Sequence, residues 1–146
     1  MSLALAGHGA EIAIVTRQPE AMLAFYRDAL GLAYEGRIDF PFPGGNQDLG
    51  IPAGFQHRLR CGPIVLKLIC IESEPPAGVM GGAYAATGFR FVTLLVNQFD
   101  ETLLRLQAAG APLPLGVRPF IDGVRFAFVA DPDGNWVELT EPLAGT

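Results

Sequence analysis

Apolar residues along this chain follow two alternating periods, and the alternation occurs twice. Residues 11–16 (EIAIVT) form a β-branched run that reads as a strand, and Arg17-Gln18-Pro19 breaks it. From Glu20 to Leu30 the apolar positions Met22, Leu23, Phe25, Tyr26 and Leu30 recur at helical spacing. Pro19 suits the first turn of that helix, and Gly31 suits the left-handed position that closes one. The second passage has the same grammar. Residues 91–96 (FVTLLV) read as a strand and Asn97-Gln98-Phe99 as a turn. Asp100–Ala109 reads as a helix whose apolar positions are Leu103, Leu104, Leu106 and Ala109, closed by Gly110. The two strand starts are 80 residues apart and the two closing glycines 79, which favours an internal duplication.

Each helix is followed by material for three more strands. In the first half these are Leu32–Ile38, Phe55–Arg60 and Ile64–Ile71; in the second they are Pro114–Phe120, Val124–Ala130 and Trp136–Thr140. Asp131-Pro132-Asp133-Gly134-Asn135 joins the last two. Aspartate opens that turn, proline presets its dihedral and glycine accepts positive φ. The expected unit is therefore β-α-β-β-β, used twice, over residues 10–72 and 89–142 with a linker at 73–88. Gly36–Gly54, with Phe40-Pro41-Phe42-Pro43-Gly44-Gly45, reads as an irregular loop. Phe40 and Phe42 lie there between prolines and glycines and suggest a cover over an apolar ligand.

Composition narrows the classes of function. At 146 residues and half apolar, the chain can bury a full core as one compact unit or two closely packed halves. A net charge of −5 with no basic cluster argues against nucleic acid or an anionic membrane as partner. Cys61 and Cys70, nine apart on or beside one strand, read as reduced packing residues, and a cytoplasmic setting is expected. No apolar run reaches the 18 residues of a membrane span.

One charge is out of place in this pattern. Lys67, the chain's only lysine, sits in the apolar strand Ile64–Ile71, where an ammonium needs an anion nearby or loses its proton. Alternation puts it on one face with Val65 and Ile69. Glu11 shares a face with Ala13 and Val15, Phe91 with Thr93 and Leu95, and Glu138 with Trp136 and Thr140.

The early run Ala24-Phe25-Tyr26-Arg27-Asp28-Ala29-Leu30-Gly31-Leu32 and the late run from Asp131 to Leu139 together resemble the vicinal oxygen chelate superfamily. That superfamily includes glyoxalases, bleomycin resistance proteins, extradiol dioxygenases and fosfomycin resistance enzymes, and the resemblance covers about residues 10–142. It implies an α+β fold in which two βαβββ modules form an eight-stranded, curled, mixed sheet around a cavity. It further implies a homodimer and up to four metal ligands, from the first and last strands of each module. Carried over by position, those four slots hold Glu11, Lys67, Phe91 and Glu138. Phenylalanine has no donor atom and an ammonium repels a cation, so a bound divalent metal is disfavoured and no resident cofactor is expected.

Taken with the resemblance, these residues suggest a Glu11–Lys67–Glu138 cluster in which the ammonium supplies the missing positive charge. A unit pair at about 4 Å is worth about 4 kcal/mol at an effective dielectric near 20, enough to offset much of the desolvation. Lys67 then reads as a structural ion pair, a catalytic base or an anchor for a substrate carboxylate, and Glu138 as a general acid–base group. Phe91, Thr93, Phe126, Phe128 and Trp136 are the candidates to line the cavity, with Arg125 a candidate for an anionic ligand group. His57 and His8, the only histidines, are weak metal candidates. Three functions remain open: a metal-independent lyase or isomerase acting on a small organic molecule, a sequestering protein of bleomycin-resistance type, and a divalent-metal glyoxalase or dioxygenase with a degenerate ligand set.

Overall fold

The β-branched runs form strands and the helical-period runs form helices, in the order β-α-β-β-β twice. The computed structural model describes residues 2–40, 52–78 and 82–142. Two compact units divide the chain, Met1–Pro76 and Ala77–Thr146. The first contains β1 (Glu11–Val15), α1 (Pro19–Leu23), β2 (Ala33–Phe40), β3 (Gly54–Cys61) and β4 (Ile64–Ile71). The second contains β5 (Phe91–Leu95), α2 (Phe99–Ala108), β6 (Val117–Pro119), β7 (Arg125–Ala130) and β8 (Trp136–Thr140).

Each unit carries its own four-stranded mixed sheet, ordered β1-β4-β3-β2 and β5-β8-β7-β6. In both, the first strand runs parallel to the last and the remaining neighbours are antiparallel. A parallel pair needs a crossover, and the helix of each module supplies it. The two sheets correspond strand for strand, as duplication requires. The fold is α+β.

In the first module the helix side of the sheet is the core. Leu59, Leu66 and Leu68 are buried there, with Met22, Leu23, Phe25, Tyr26, Ala29 and Leu30 of the helical segment. The single helix expected over Glu20–Leu30 begins as α1 and widens into π-helical turns at Ala24–Ala29. There the Leu30 N–H bonds Phe25 O at 2.8 Å, five residues back instead of four. In the second module Phe99, Leu103 and Leu106 of α2 are buried, as are Ala127, Val129, Val137 and Leu139 of the sheet.

Several boundaries differ from the sequence expectation. Phe40 does not sit on a loop: β2 continues through it, and Phe40 pairs with Gly54. Phe42 lies outside the described residues. β6 is three residues long where seven were expected: Pro114 has no N–H to give to a ladder, and the chain turns before the strand, where the Gly116 N–H bonds Leu113 O at 3.1 Å with Gly116 at φ +64. Residues at the end of the expected linker belong to the second module. Ala83 is buried, and Gly82 holds φ +90 with its Cα against the Trp136 ring, where an added Cβ would come within 3.3 Å.

The turn between β7 and β8 is closed by the buried Asp131. Its Oδ1 accepts the N–H groups of Asp133 and Asn135, each at 2.9 Å, and its Oδ2 accepts the Asn135 side-chain amide. Replacing Asp131 by alanine leaves these donors without an acceptor. The expected cost is roughly 2–3 kcal/mol, read as a lowered Tm, and an unchanged Tm would show that the turn holds without its carboxylate.

Candidate functional site

Away from the helix, the first sheet carries charge. The Gly62-Pro63 turn joins β3 to β4 and sets the register that places Arg58 opposite Lys67 and Arg60 opposite Val65. The parallel pairing of β1 with β4 puts Glu11 beside Val65 and Ala13 beside Lys67. Glu11, Arg58 and Lys67 therefore point to the same side, opposite Leu59, Leu66 and Leu68.

These side chains meet. Lys67 Nζ lies 3.1 Å from Glu11 Oε2. Arg58 reaches both carboxylate oxygens, through Nη2 to Oε1 and through Nη1 to Oε2 at 3.4 Å. His8 Nε2 stands 3.0 Å from Glu11 Oε1. Hydrogen bonds from Arg58 first, and from Lys67 second, hold the Glu11 carboxyl at a pKa of about 2. Next along β3, Arg60 Nε donates to Glu35 at 2.7 Å. Ile38, Phe40 and Ile69 complete the face by alternation and register.

The corresponding face of the second sheet is aromatic around one carboxylate. Thr93 pairs with Glu138, Glu138 with Phe128, and Phe91 with Trp136. Thr93 Oγ1 donates to Glu138 Oε2 at 2.6 Å. Phe128, buried, has the rings of Phe91, Trp136 and Phe126 at 5.2, 5.1 and 6.0 Å in edge or tilted geometry. Tyr84 extends this wall beyond Phe91 at 5.9 Å, and Phe120 extends it beyond Phe126 at 5.9 Å. The sequence pattern did not point to Tyr84, because its segment has no periodicity.

Glu11 and Lys67 are thus an ion pair on the first module, while Glu138, Phe91, Thr93, Phe126, Phe128 and Trp136 share one face of the second. Arg58 was missed as a partner of Glu11, although the short β3–β4 turn fixes its position opposite Lys67. Arg125 is a correction. It alternates onto the α2 side of the second sheet, where Asp100 takes its Nη1 at 2.9 Å and Glu141 its Nε at 3.1 Å, and it lies 5.0 Å from the Phe99 ring. Its guanidinium is committed to two carboxylates of its own module.

His57 faces the helix side, away from Glu11. It is buried between the Phe55 and Tyr34 rings, and Tyr34 Oη bonds its Nδ1 at 3.0 Å, while Nε2 has no partner among the described residues. Burial pushes its pKa below the usual 6.5. The unfolded chain therefore binds this proton more readily. Stability contributed by neutral His57 is complete above 6.5 and falls as pH drops from there to the native value. Urea titrations of the wild type and of His57→Gln should differ in slope over that window, and parallel pH profiles would refute the assignment.

The residues in the superfamily's ligand positions do not fit a divalent ion. Glu11 is clamped by two cations, Lys67 is itself one, and Phe91 has no donor atom. Among the described residues no three His, Cys, Asp or Glu side chains gather as a metal set.

Two βαβββ modules, each with its own four-stranded mixed sheet, define the class of α+β fold to which this chain conforms. The sequence matches the Glyoxalase/Bleomycin resistance protein/Dioxygenase superfamily over residues 9–139, and the chain belongs to that superfamily. Among solved structures, a glyoxalase family protein from Bacillus cereus is similar at TM-score 0.77 and 21% identity, covering 99% of this chain and 97% of the other. A lactoylglutathione lyase from Agrobacterium tumefaciens is similar at TM-score 0.57 and 22% identity, covering 97% and 94%. A fosfomycin resistance protein from Mesorhizobium loti gives TM-score 0.57 and 14% identity, covering 92% and 91%. At these identities the structures share a fold. No curated protein matches the sequence. Among the described residues no helix is long and apolar enough to cross a membrane.

Proposed function

We propose that this chain is a metal-independent lyase or isomerase that binds a small, partly aromatic carbonyl compound and moves a proton beside the carbonyl with Glu138. The observation that carries this reading is the setting of Glu138: one carboxylate on a wall of aromatic rings, with the Thr93 hydroxyl bound to Oε2. Thr93 orients the carboxylate and leaves Oε1 to meet the substrate. In the step, the carbon–hydrogen bond next to the carbonyl breaks and its proton passes to Oε1. The electron pair moves to the carbonyl oxygen as an enolate, and as that pair returns to carbon, delivery of a proton to the opposite face or to a neighbouring carbon completes an isomerisation. Expelling a leaving group from the enolate would instead complete an elimination.

A second reading is favoured by one feature. Phe91, Tyr84 and Phe120 are exposed at 37%, 84% and 54%, and so broad an apolar wall also suits a protein that holds its ligand without reacting. Phenylacetone, an aromatic ketone with exchangeable hydrogens beside the carbonyl, separates the two. Catalysis predicts that chelator-treated protein accelerates its hydrogen exchange in deuterated water, followed by NMR. Quenching of Trp136 fluorescence with no accelerated exchange leaves sequestration.

A further inference from the structure

We infer that the Glu11–Arg58–Lys67 face of the first module is a binding site for an organic anion, a carboxylate or a phosphate ester, with Arg58 and Lys67 as its ligands. The proposal goes beyond the proton-transfer reading, because it concerns a different module and does not require turnover.

The charge count on this face is the starting point. Arg60 is matched by Glu35, one cation to one carboxylate. Among the described residues Arg58 and Lys67 share the single carboxylate of Glu11, so one positive charge is left over there. A purely structural pair needs one cation per carboxylate. A second cation held on a half-covered apolar sheet is costly unless an anion joins it.

Donor capacity and access agree with the charge count. Arg58 spends Nη1 and Nη2 on Glu11, and Lys67 spends one of its three hydrogens. Arg58 Nε and two Lys67 hydrogens have no partner among the described residues. The side chains are 19% and 25% exposed, open enough to be reached and covered enough to be poorly screened. Glu11 keeps its charge down to a pH near its pKa of about 2, so it occupies part of the donor capacity of both cations and an incoming anion shares them with it. Ile38, Phe40 and Ile69 on the same side offer an apolar bed for the rest of an organic anion.

The test uses the full chain at low salt, with acetate, inorganic phosphate and neutral acetamide as probes, followed through the Arg58 Nε–Hε and Lys67 Nζ resonances. The expected result is a saturable shift of both signals with acetate or phosphate and none with acetamide. The tighter of the two probes assigns carboxylate or phosphate as the ligand group. Arg58→Gln should weaken the preferred anion by about tenfold, whereas Glu11→Gln, which removes the competing carboxylate, should tighten it by a few-fold. That opposition of sign is the discriminating readout, and the tightening with Glu11→Gln remains readable if Arg58→Gln fails to fold. No saturable shift in the wild type, or a Glu11→Gln variant that binds more weakly than wild type, overturns the site.

Discussion

Phe128→Ala is expected to destabilise the second module by about 3–5 kcal/mol, the usual cost of removing a buried phenylalanine from a packed site. The ring is 2% exposed and stands at the centre of the aromatic wall, with Phe91, Trp136 and Phe126 each within 6.0 Å of it. Two costs combine. The transfer free energy of the ring is lost, and the three neighbours, fixed on three strands, cannot all close the gap. Phe120→Ala is the control, because Phe120 touches the same wall at its outer end but is 54% exposed. Its loss should cost under about 1 kcal/mol. Equilibrium urea unfolding of both variants measures the difference. A Phe128→Ala cost as small as that of Phe120→Ala would mean that the wall is not a packed unit.

The wall was legible in the sequence because it rests on period-two alternation. Phe126 and Phe128 on β7, Trp136 and Glu138 on β8, and Phe91 and Thr93 on β5 needed only strand identity and relative register to be placed on one side. The duplication was legible for the same reason, since strand, helix and closing glycine recur at one spacing. Charge partners were read less well. Lys67 pointed to a carboxylate, and Glu11 is that carboxylate, but Arg58 contributes the larger effect on Glu11. Alternation alone places Arg58 on a face without naming its partner; the register of the two-residue Gly62-Pro63 turn was needed as well. Arg125 failed for a complementary reason. Its position on a strand said nothing about Asp100 on α2 and Glu141 beyond β8, which are distant in sequence and brought together by packing. The prolines that follow Phe40 read as a loop, while the ladder to Gly54 extends β2 up to that point. Proline restricts the residue before it to extended geometry, which a strand end satisfies.

Glu138→Gln should lower the acceleration of phenylacetone exchange by about 10²–10⁴-fold while leaving its affinity within about twofold, as expected for loss of a general base. The substitution is close to isosteric. Thr93 Oγ1, 2.6 Å from Oε2, retains an acceptor in the glutamine carbonyl oxygen, so the side chain stays oriented while the proton acceptor is lost. The aromatic rings that would hold the ligand are untouched, which is why affinity is expected to persist. Thr93→Val tests the orienting role separately. It should reduce exchange by less than Glu138→Gln, because the base remains but turns more freely. Equal exchange rates for wild type and Glu138→Gln, with binding intact in both, would remove Glu138 from the chemistry and leave its face as a ligand platform alone. If both variants lost affinity together with rate, the carboxylate would be a binding group and the proton transfer would have to be sought elsewhere.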